Sequence, residues 1–399
     1  MSLAHGRHTL AIPGPSVMPD RVLRAMHRAA PNIYTGELIE MTHSLIPDLK
    51  AVARTAHNVA IYIGNGHAAW EASLANTHSR GDLALVPATG QFAHGWAASA
   101  EGLGIRTEII DFGKRTPMDA AQVEARLRAD TGHEIKSVLM VHVDTSSSVM
   151  SDVAAMRRAI DAASHPALLM VDCIASLGCD RFEMDEWGVD VMITGCQKGL
   201  MTPPGMSFVY YNDRADAARE DANCVTGYWD WRPRTNPDYY YKYFNGTAPT
   251  HHLYGLREAL DMIVHEEGIT AVWDRHETLA SALWAACDVW SAQGPLELNV
   301  ADPAHRSRAV TSLRITPPLG TNLRDYLTDQ MGVTLGIGLG MAPPDTPEWH
   351  GFFRVGHMGH INAHMMLGTL GAIDTGLKAL NIEHGEGAVS AAARILAGR

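Results

Sequence analysis

Two neighbouring apolar runs end in charged side chains that a buried strand does not ordinarily carry. Residues 167–176 read ALLMVDCIAS and residues 189–205 read VDVMITGCQKGLMTPPG. The first run ends at Asp172, and Lys198 follows the second. A buried carboxylate is costly unless a cation meets it. A lysine in a partly desolvated cleft has a lowered pKa and can form a Schiff base. The two strand ends therefore predict a reactive site.

The chain around this pair repeats the order of strand and helix. Further apolar runs lie at 59–64, 82–88, 107–113, 137–144 and 207–212, and helix-like segments follow most of them. Runs this apolar are buried on both faces, so helices are expected on both sides of a sheet. The order predicts an α/β fold with a mostly parallel sheet, whose ligands lie outside the carboxyl ends of the strands.

The C-terminal third has a different pattern. After a long helical segment at 269–290, short strands and helices alternate less regularly, which predicts a smaller α+β domain. We expect an N-terminal segment over 1–20, a large cofactor-binding domain over 21–265 and a small domain over 266–399. The boundary between the two domains is expected between residues 265 and 300.

Composition excludes several classes of function. The 399 residues are 46% hydrophobic and carry 32 Lys and Arg against 44 Asp and Glu, a net charge of −12. An acidic protein has no general affinity for nucleic acid or anionic membrane. We see neither an apolar signal segment nor a membrane span. The five cysteines form no CxxC pair. Free thiols are typical of a reducing compartment, so we expect a soluble cytoplasmic protein.

The polar strand ends together describe one ligand. Gly64, Gly66 and a helix that starts near His67 offer backbone N–H groups to a phosphate. Thr145 and the serines after it add hydroxyl groups. The lysine requires an aldehyde, and the buried aspartate suits a basic ring nitrogen. Pyridoxal 5′-phosphate has all three features, and an aspartate partner keeps its ring nitrogen protonated.

Residues 165–206, from His165 to Met206, resemble the core of the class V (fold type I) aminotransferases. The likeness is greatest to the alanine–glyoxylate and serine–glyoxylate aminotransferase family. Other matching pieces are IPGPSVMP (12–19), GNGHAAWEASLAN (64–76), GQFAHGW (90–96), GTAPTHHLYGLREAL (246–260) and FFRVGHMG (352–359). The resemblance implies a fold type I enzyme that moves an amino group from serine, alanine or aspartate to a 2-oxo acid, glyoxylate, by a ping-pong mechanism.

The resemblance also implies roles for individual residues. Lys198 forms the Schiff base and moves the substrate proton, Asp172 pairs with the ring nitrogen, and Phe92 stacks on the ring. Arg354 binds the substrate carboxylate through a bidentate fork. The remaining implied cofactor contacts are Gly66, His67, Ala68 and Gln197 at the phosphate, Thr145 at the ring hydroxyl, and Thr247 from a second subunit. The contribution of Thr247 implies a homodimer, and whether two dimers pair into a tetramer stays open.

Several positions depart from the family pattern and leave the substrate open. Tyr34 lies where glyoxylate enzymes carry another segment, and Phe244 replaces a common tyrosine. We place Tyr34, Phe244 and Asn65 on the substrate side. Pyridoxamine–pyruvate aminotransferase shares this framework, including the phenylalanine, and is the alternative.

Rival functions find less support in the sequence. His357, His360 and His364 resemble a zinc spacing, but the first two fall in a glycine-rich turn without a nearby carboxylate, so no metal is expected. A cysteine desulfurase of this fold usually has a histidine where Gln197 stands, and it needs a cysteine in a late loop. The last cysteine here is Cys287, in a predicted helix. A non-catalytic scaffold would be expected to lose the lysine, the aspartate or the arginine, and all three are present.

Overall fold

A computed structural model describes residues 2–398 of the chain. Its strands are β1 (Thr9–Ala11), β2 (Asn58–Gly64), β3 (Leu83–Ala88), β4 (Arg106–Asp111), β5 (Ile135–Val141), β6 (Leu168–Asp172), β7 (Val191–Gly195), β8 (Gly205–Tyr211), β9 (Glu297–Leu298), β10 (Val310–Arg314), β11 (Val333–Ile337) and β12 (Phe352–Gly356). Its α-helices are α1 (Asp20–Met26), α2 (Glu37–Ala53), α3 (Gly66–Thr77), α4 (Gln91–Gly102), α5 (Ala120–Ala129), α6 (Val153–Ala162), α7 (Asp213–Ala218), α8 (Arg232–Thr235), α9 (Thr250–Leu260), α10 (Ile269–Ser291), α11 (Leu319–Tyr326), α12 (Ala363–Ala379) and α13 (Ala388–Leu396).

The larger sheet has seven strands in the order β2-β8-β7-β6-β5-β3-β4. Strands β4, β3, β5, β6 and β7 pair in parallel, whereas β8 is antiparallel to both β7 and β2. The chain reverses after β7 because a short loop over 196–204, and not a crossover helix, leads into β8. The predicted α/β fold with a mostly parallel sheet is confirmed, and every predicted strand of this region is present.

A second sheet has five strands in the order β1-β11-β12-β10-β9. Its C-terminal strands are antiparallel, but β1 from the N-terminus pairs in parallel with β11, Thr9 opposite Val333. This pairing was not predicted, because a three-residue strand carries too little pattern to be read from sequence. As a result, the chain between β1 and α1 passes from the small sheet to the large one.

Helix α10 contributes to two hydrophobic cores. Val272, near its start, packs with the core of the large sheet, and residues from Leu279 onward pack with the core of the small sheet. The proposed domain limits of 21–265 and 266–399 stay predictions. Within residues 2–398, no helix has both the length and the apolar surface to cross a membrane. All five cysteines are buried free thiols, as expected.

Candidate active site

Asp172 ends strand β6 with its carboxylate buried and only 3% of the residue exposed. One carboxylate oxygen accepts a hydrogen bond from the indole Nε1 of Trp70, and the other accepts one from the N–H of Ile174, both at 2.7 Å. Burial raises the pKa of Asp172 to about 7 although both bonds lower it. No cationic side chain of residues 2–398 forms an ion pair with this carboxylate, so the position suits a protonated ring nitrogen.

Lys198 follows β7, nine-tenths buried, and its Nζ donates a hydrogen bond to the backbone oxygen of Pro13. Burial and, to a smaller extent, the positive charge of Arg354 lower the pKa of Lys198 to about 8, against the opposing effect of Asp172. An amine with this pKa is partly neutral near pH 8 and therefore nucleophilic. The lowered pKa agrees with the expectation from sequence, and the covalent role of Lys198 stays a prediction.

Residues 12–16, which we call the N-terminal strap, lie directly against the lysine. The Ser16 N–H donates to the Gln197 carbonyl at 2.9 Å, and its hydroxyl donates to the Lys198 carbonyl at 2.7 Å. Gly14 has φ +100°, and a Cβ there would lie 2.5 Å from Cδ and Cε of Lys198. Only glycine fits both the backbone conformation and the space. The strap carries no titratable group, so sequence reasoning missed its contact with Lys198.

The turn before α3 exposes backbone donors at the start of a helix. Asn65 caps the helix, because its side-chain oxygen accepts from the His67 N–H at 3.0 Å and its carbonyl accepts from the Ala68 N–H. The Gly66 N–H has no acceptor among the described residues. A Cβ at Gly66 would lie 2.3 Å from Ile174, so the turn is closely packed. A helix start of this kind suits a phosphate, and the three predicted donors stay a prediction.

Phe92 lies in the first turn of α4 and faces the same cavity. Its ring meets that of Trp70 edge to face, with centroids 6.3 Å apart and an interplanar angle of 63°. Trp70 in turn stacks on Trp96 at 6.3 Å. Phe92 and Trp70 form an apolar wall of the cavity with Trp96 packed against Trp70, and the stacking of Phe92 on a cofactor ring stays a prediction.

Arg354, in strand β12, is a buried cation without an anionic partner. Its Nε donates to the carbonyl of Ile337 at 2.7 Å and its Nη1 to the carbonyl of Thr145 at 2.8 Å. Burial lowers the pKa of Arg354 to about 10. Within residues 2–398 no carboxylate forms an ion pair with it. A buried guanidinium in this state binds an anion strongly, and the recognition of a substrate carboxylate by Arg354 stays a prediction.

Most of these groups line a cavity of about 280 Å³, and Arg354, which is not in the lining, contacts the lining residue Thr145 through its carbonyl. The predicted site residues that line it are Asn65, Gly66, His67, Phe92, Thr145, Asp172, Gln197 and Lys198. The buried Oε1 of Gln197 has no hydrogen-bond partner among the described residues, so the wall holds a polar group that a ligand can satisfy. An unpaired carboxylate, a partly neutral lysine, a free helix N–H and an unsatisfied amide fit pyridoxal phosphate.

Five predicted residues do not line this cavity within one chain, namely Ala68, Arg354, Tyr34, Phe244 and Thr247. Tyr34 is 82% exposed, and Phe244 is fully buried beside Tyr240, with ring centroids 5.7 Å apart. Thr247 is exposed in the loop before α9. Substrate contacts by Tyr34 and Phe244, and a phosphate contact by Thr247 across subunits, stay predictions.

Sequence reasoning also missed residues that the structure places in or beside the site. Trp70 supplies the hydrogen bond to Asp172, and Asp144 binds the backbone of Phe92. Trp70 lies four residues after Gly66, which is one helical turn. The spacing could therefore have predicted that Trp70 lies beside the start of the helix. Asp144 stands in the polar run VDTSSS without a pattern that distinguishes it from a turn residue.

The residues of the rival functions have ordinary structural roles. Both ring nitrogens of His357 form hydrogen bonds of 2.9 Å, one with Thr311 Oγ1 and one with the Arg308 carbonyl. Cys287 is fully buried in α10, where burial raises the pKa of its thiol. A buried thiol of raised pKa is a poor nucleophile.

Known proteins resemble the chain over almost its entire length. The family profile described as "Aminotransferase class-V" matches residues 14–362. The serine–glyoxylate aminotransferase of Methylorubrum extorquens is 36% identical over 94% of this chain and 93% of its own length. The L-aspartate–glyoxylate aminotransferase of Paracoccus denitrificans is 33% identical over 90% of this chain and 89% of its own.

A solved structure confirms the fold independently. The pyridoxamine–pyruvate aminotransferase of Mesorhizobium loti superposes with a TM-score of 0.87 over 99% of this chain and 98% of its own, at 23% identity. At that identity the likeness concerns the fold alone. With the family match, the close relatives and a cavity suited to the cofactor, the chain belongs to the class-V aminotransferases, which are pyridoxal phosphate-dependent enzymes of fold type I.

Proposed function

We propose that the enzyme transfers the amino group of a small L-amino acid, such as serine, alanine or aspartate, to glyoxylate. The observation that carries this proposal is the buried Arg354, which forms no ion pair within residues 2–398 and is close enough to Lys198 to lower its pKa. An α-carboxylate on Arg354 therefore lies near the lysine amine. The cavity of about 280 Å³ has to hold the cofactor as well, which leaves space only for a small side chain.

The names of the relatives support the same substrate class. Proteins that are 36% and 33% identical use serine and L-aspartate, respectively, with glyoxylate. Both names share the acceptor and differ in the donor, so two relatives support glyoxylate as the acceptor and one supports each donor.

The bound cofactor supplies an electron sink that stabilises the charge left when the α-proton of the substrate departs. Arg354 binds and orients the carboxylate through its guanidinium fork. Lys198, as a neutral amine, would take the α-proton at Nζ and hold it for the later return. With the cofactor bound, Asp172 would hold a proton on its ring nitrogen, and the wall of Phe92 and Trp70 would exclude water from the cavity.

We propose a homodimer in which Thr247 completes the partner's cavity. The phosphate turn leaves Asn65 and His67 exposed, and Thr247 is exposed elsewhere on the chain. Mixing Lys198→Ala chains with Thr247→Asp chains tests this arrangement. In a random mixture of dimers that share sites, about one quarter of all sites are intact, so activity should return to that fraction. No recovery would contradict the shared site. The buried free thiols suit the cytoplasm as the compartment.

Titration of the purified enzyme with single donors tests the proposed substrates. L-serine, L-alanine or L-aspartate alone should convert the visible band of the bound cofactor to the pyridoxamine form, and glyoxylate should restore it. A Lys198→Ala variant should show neither change. If only free pyridoxamine with pyruvate gave product, the pyridoxamine–pyruvate alternative would replace this proposal.

A further inference from the structure

Asp144 is a fully buried carboxylate that follows strand β5 and accepts four hydrogen bonds. Its Oδ2 accepts from the N–H groups of Phe92 at 2.9 Å and Ala93 at 3.3 Å. Its Oδ1 accepts from the N–H of Ser146 at 3.0 Å and from the Ser146 hydroxyl. Within residues 2–398 it forms no ion pair, so its partners are three backbone N–H groups and one hydroxyl.

This carboxylate caps a helix to which it does not belong. Helix α4 begins after Gly90, which has no side chain to bind the first N–H groups, and Asp144 takes that place from the loop after β5. A Cβ at Gly90 would lie 2.4 Å from Cγ of Asp144. Glycine at this position therefore leaves the space that the carboxylate occupies. The contact fixes the first turn of α4, which carries Phe92, against the loop after β5.

The next residue in the same loop holds the substrate-binding arginine. The Thr145 carbonyl accepts a hydrogen bond from Nη1 of Arg354 at 2.8 Å. Residues 144–146 thus contact Phe92 on one side and Arg354 on the other. A displaced loop would move both the wall of the cofactor cavity and the guanidinium.

We propose that Asp144 is a positioning residue that places Phe92 against the cofactor ring and, through Thr145, aims Arg354 at the substrate carboxylate. The part that concerns Arg354 rests on the proposed function. The part that concerns Phe92 depends only on the backbone contacts of α4.

Replacing Asp144 with asparagine tests the proposal because both carboxylate oxygens are acceptors. Whichever way the amide turns, its NH₂ group meets a backbone N–H, either that of Phe92 or that of Ser146. The matched control is Asp119→Asn. Asp119 caps α5 by accepting from the Ala121 N–H at 2.9 Å, and an amide oxygen can preserve this bond.

Two measurements should separate Asp144→Asn from its control. In the cofactor-free protein, hydrogen exchange should accelerate by about tenfold, the size expected for a lost buried hydrogen bond, either at the amides of residues 92 and 93 or at that of residue 146, according to which of them the NH₂ group faces. In the loaded enzyme, the dissociation constant for pyridoxal phosphate and the KM for the donor should each rise by about tenfold. Asp119→Asn should leave all three values unchanged.

A second variant keeps the test informative if Asp144→Asn does not fold. Gly90 has φ 170°, an extended conformation open to any residue, so Gly90→Ala adds no backbone strain and acts by displacing the Asp144 carboxylate and the Ser146 hydroxyl bonded to it. The same three changes are expected. Unchanged exchange, cofactor affinity and KM in either folded variant would overturn the proposal. A wild-type enzyme without turnover would instead count against the proposed function, and hydrogen exchange at Phe92 would still test Asp144.

Discussion

Replacing Trp70 with phenylalanine should weaken cofactor binding through Asp172. The substitution keeps an aromatic ring but removes the indole N–H that lies 2.7 Å from the carboxylate. A hydrogen bond to a charged group stabilises it by about 1.5–3 kcal/mol, and about 1.4 kcal/mol corresponds to one pH unit. The pKa of Asp172, already raised to about 7 by burial, should therefore rise to about 8 or 9.

A carboxyl group that is neutral at pH 7.5 no longer favours a protonated ring nitrogen. The affinity for pyridoxal phosphate at this pH should fall by about ten- to one-hundredfold, which is the same free energy expressed as a binding constant. The turnover number should fall as well, because the ring then withdraws electrons less strongly.

Trp96→Phe is the matched control for this substitution. Trp96 is fully buried and stacks on Trp70, with ring centroids 6.3 Å apart, and its Nε1 has no hydrogen-bond partner within the described chain. Both variants lose the same atoms from the same cluster of rings. The difference between them isolates the bond to Asp172.

The assay is an absorbance titration of cofactor-free enzyme with pyridoxal phosphate between pH 6 and pH 9. Trp70→Phe should bind pyridoxal phosphate weakly, and as the pH is lowered its affinity should fall at a higher pH than that of the wild type. The affinity of Trp96→Phe should stay within about threefold of the wild type. Equal weakening in both variants would show that packing, and not the hydrogen bond, sets the affinity.

Three further results follow from the same site. Capture of pyridoxal phosphate by the cofactor-free enzyme should accelerate as pH rises, with a midpoint near the Lys198 pKa of about 8. Arg354→Met should raise that midpoint, because it removes a positive charge that lowers the Lys198 pKa. A capture rate that does not depend on pH would contradict this prediction. The folded-state pKa of Asp172 is raised from 3.8 to about 7, so the folded protein holds a proton that the unfolded chain releases. The free energy of unfolding of the cofactor-free protein should therefore fall as the pH rises from 3.8 to about 7. Urea unfolding should show this loss, and in Asp172→Asn the curve should be flatter; identical curves would argue against it. Gly14→Ala should lower the rate of cofactor capture by at least about tenfold, because its Cβ would lie 2.5 Å from the Lys198 side chain; a wild-type rate would show that the strap yields.

The large sheet and the two charged strand ends could be predicted because buried parallel strands have a strong signature. Residues 167–171 and 191–193 are entirely apolar, so the polar residues that follow them are conspicuous. The structure places Asp172 and Lys198 on one cavity, as the geometry of parallel strands requires. The antiparallel β8 was not foreseen, since an apolar strand has the same pattern in either direction.

Other parts of the site depend on contacts between distant segments. Asp144 and Phe92 are 52 residues apart, and Gly14 and Lys198 are 184 apart, so no local pattern joins them. In sequence, a tryptophan whose indole N–H binds a functional carboxylate, as in Trp70, looks the same as a tryptophan that only packs in a hydrophobic core. The role predicted for Thr247 needs a second subunit.

Trapping the cofactor on the protein tests the central claim most directly. Borohydride reduction of the enzyme loaded with pyridoxal phosphate converts a lysine–aldehyde linkage into a stable bond, and peptide mass analysis locates it. The added mass should lie on the peptide that contains Lys198, and reduction after complete reaction with an amino donor should give none. Mass on a different lysine, or none before the donor is added, would contradict the assignment of Lys198 as the residue that holds the cofactor.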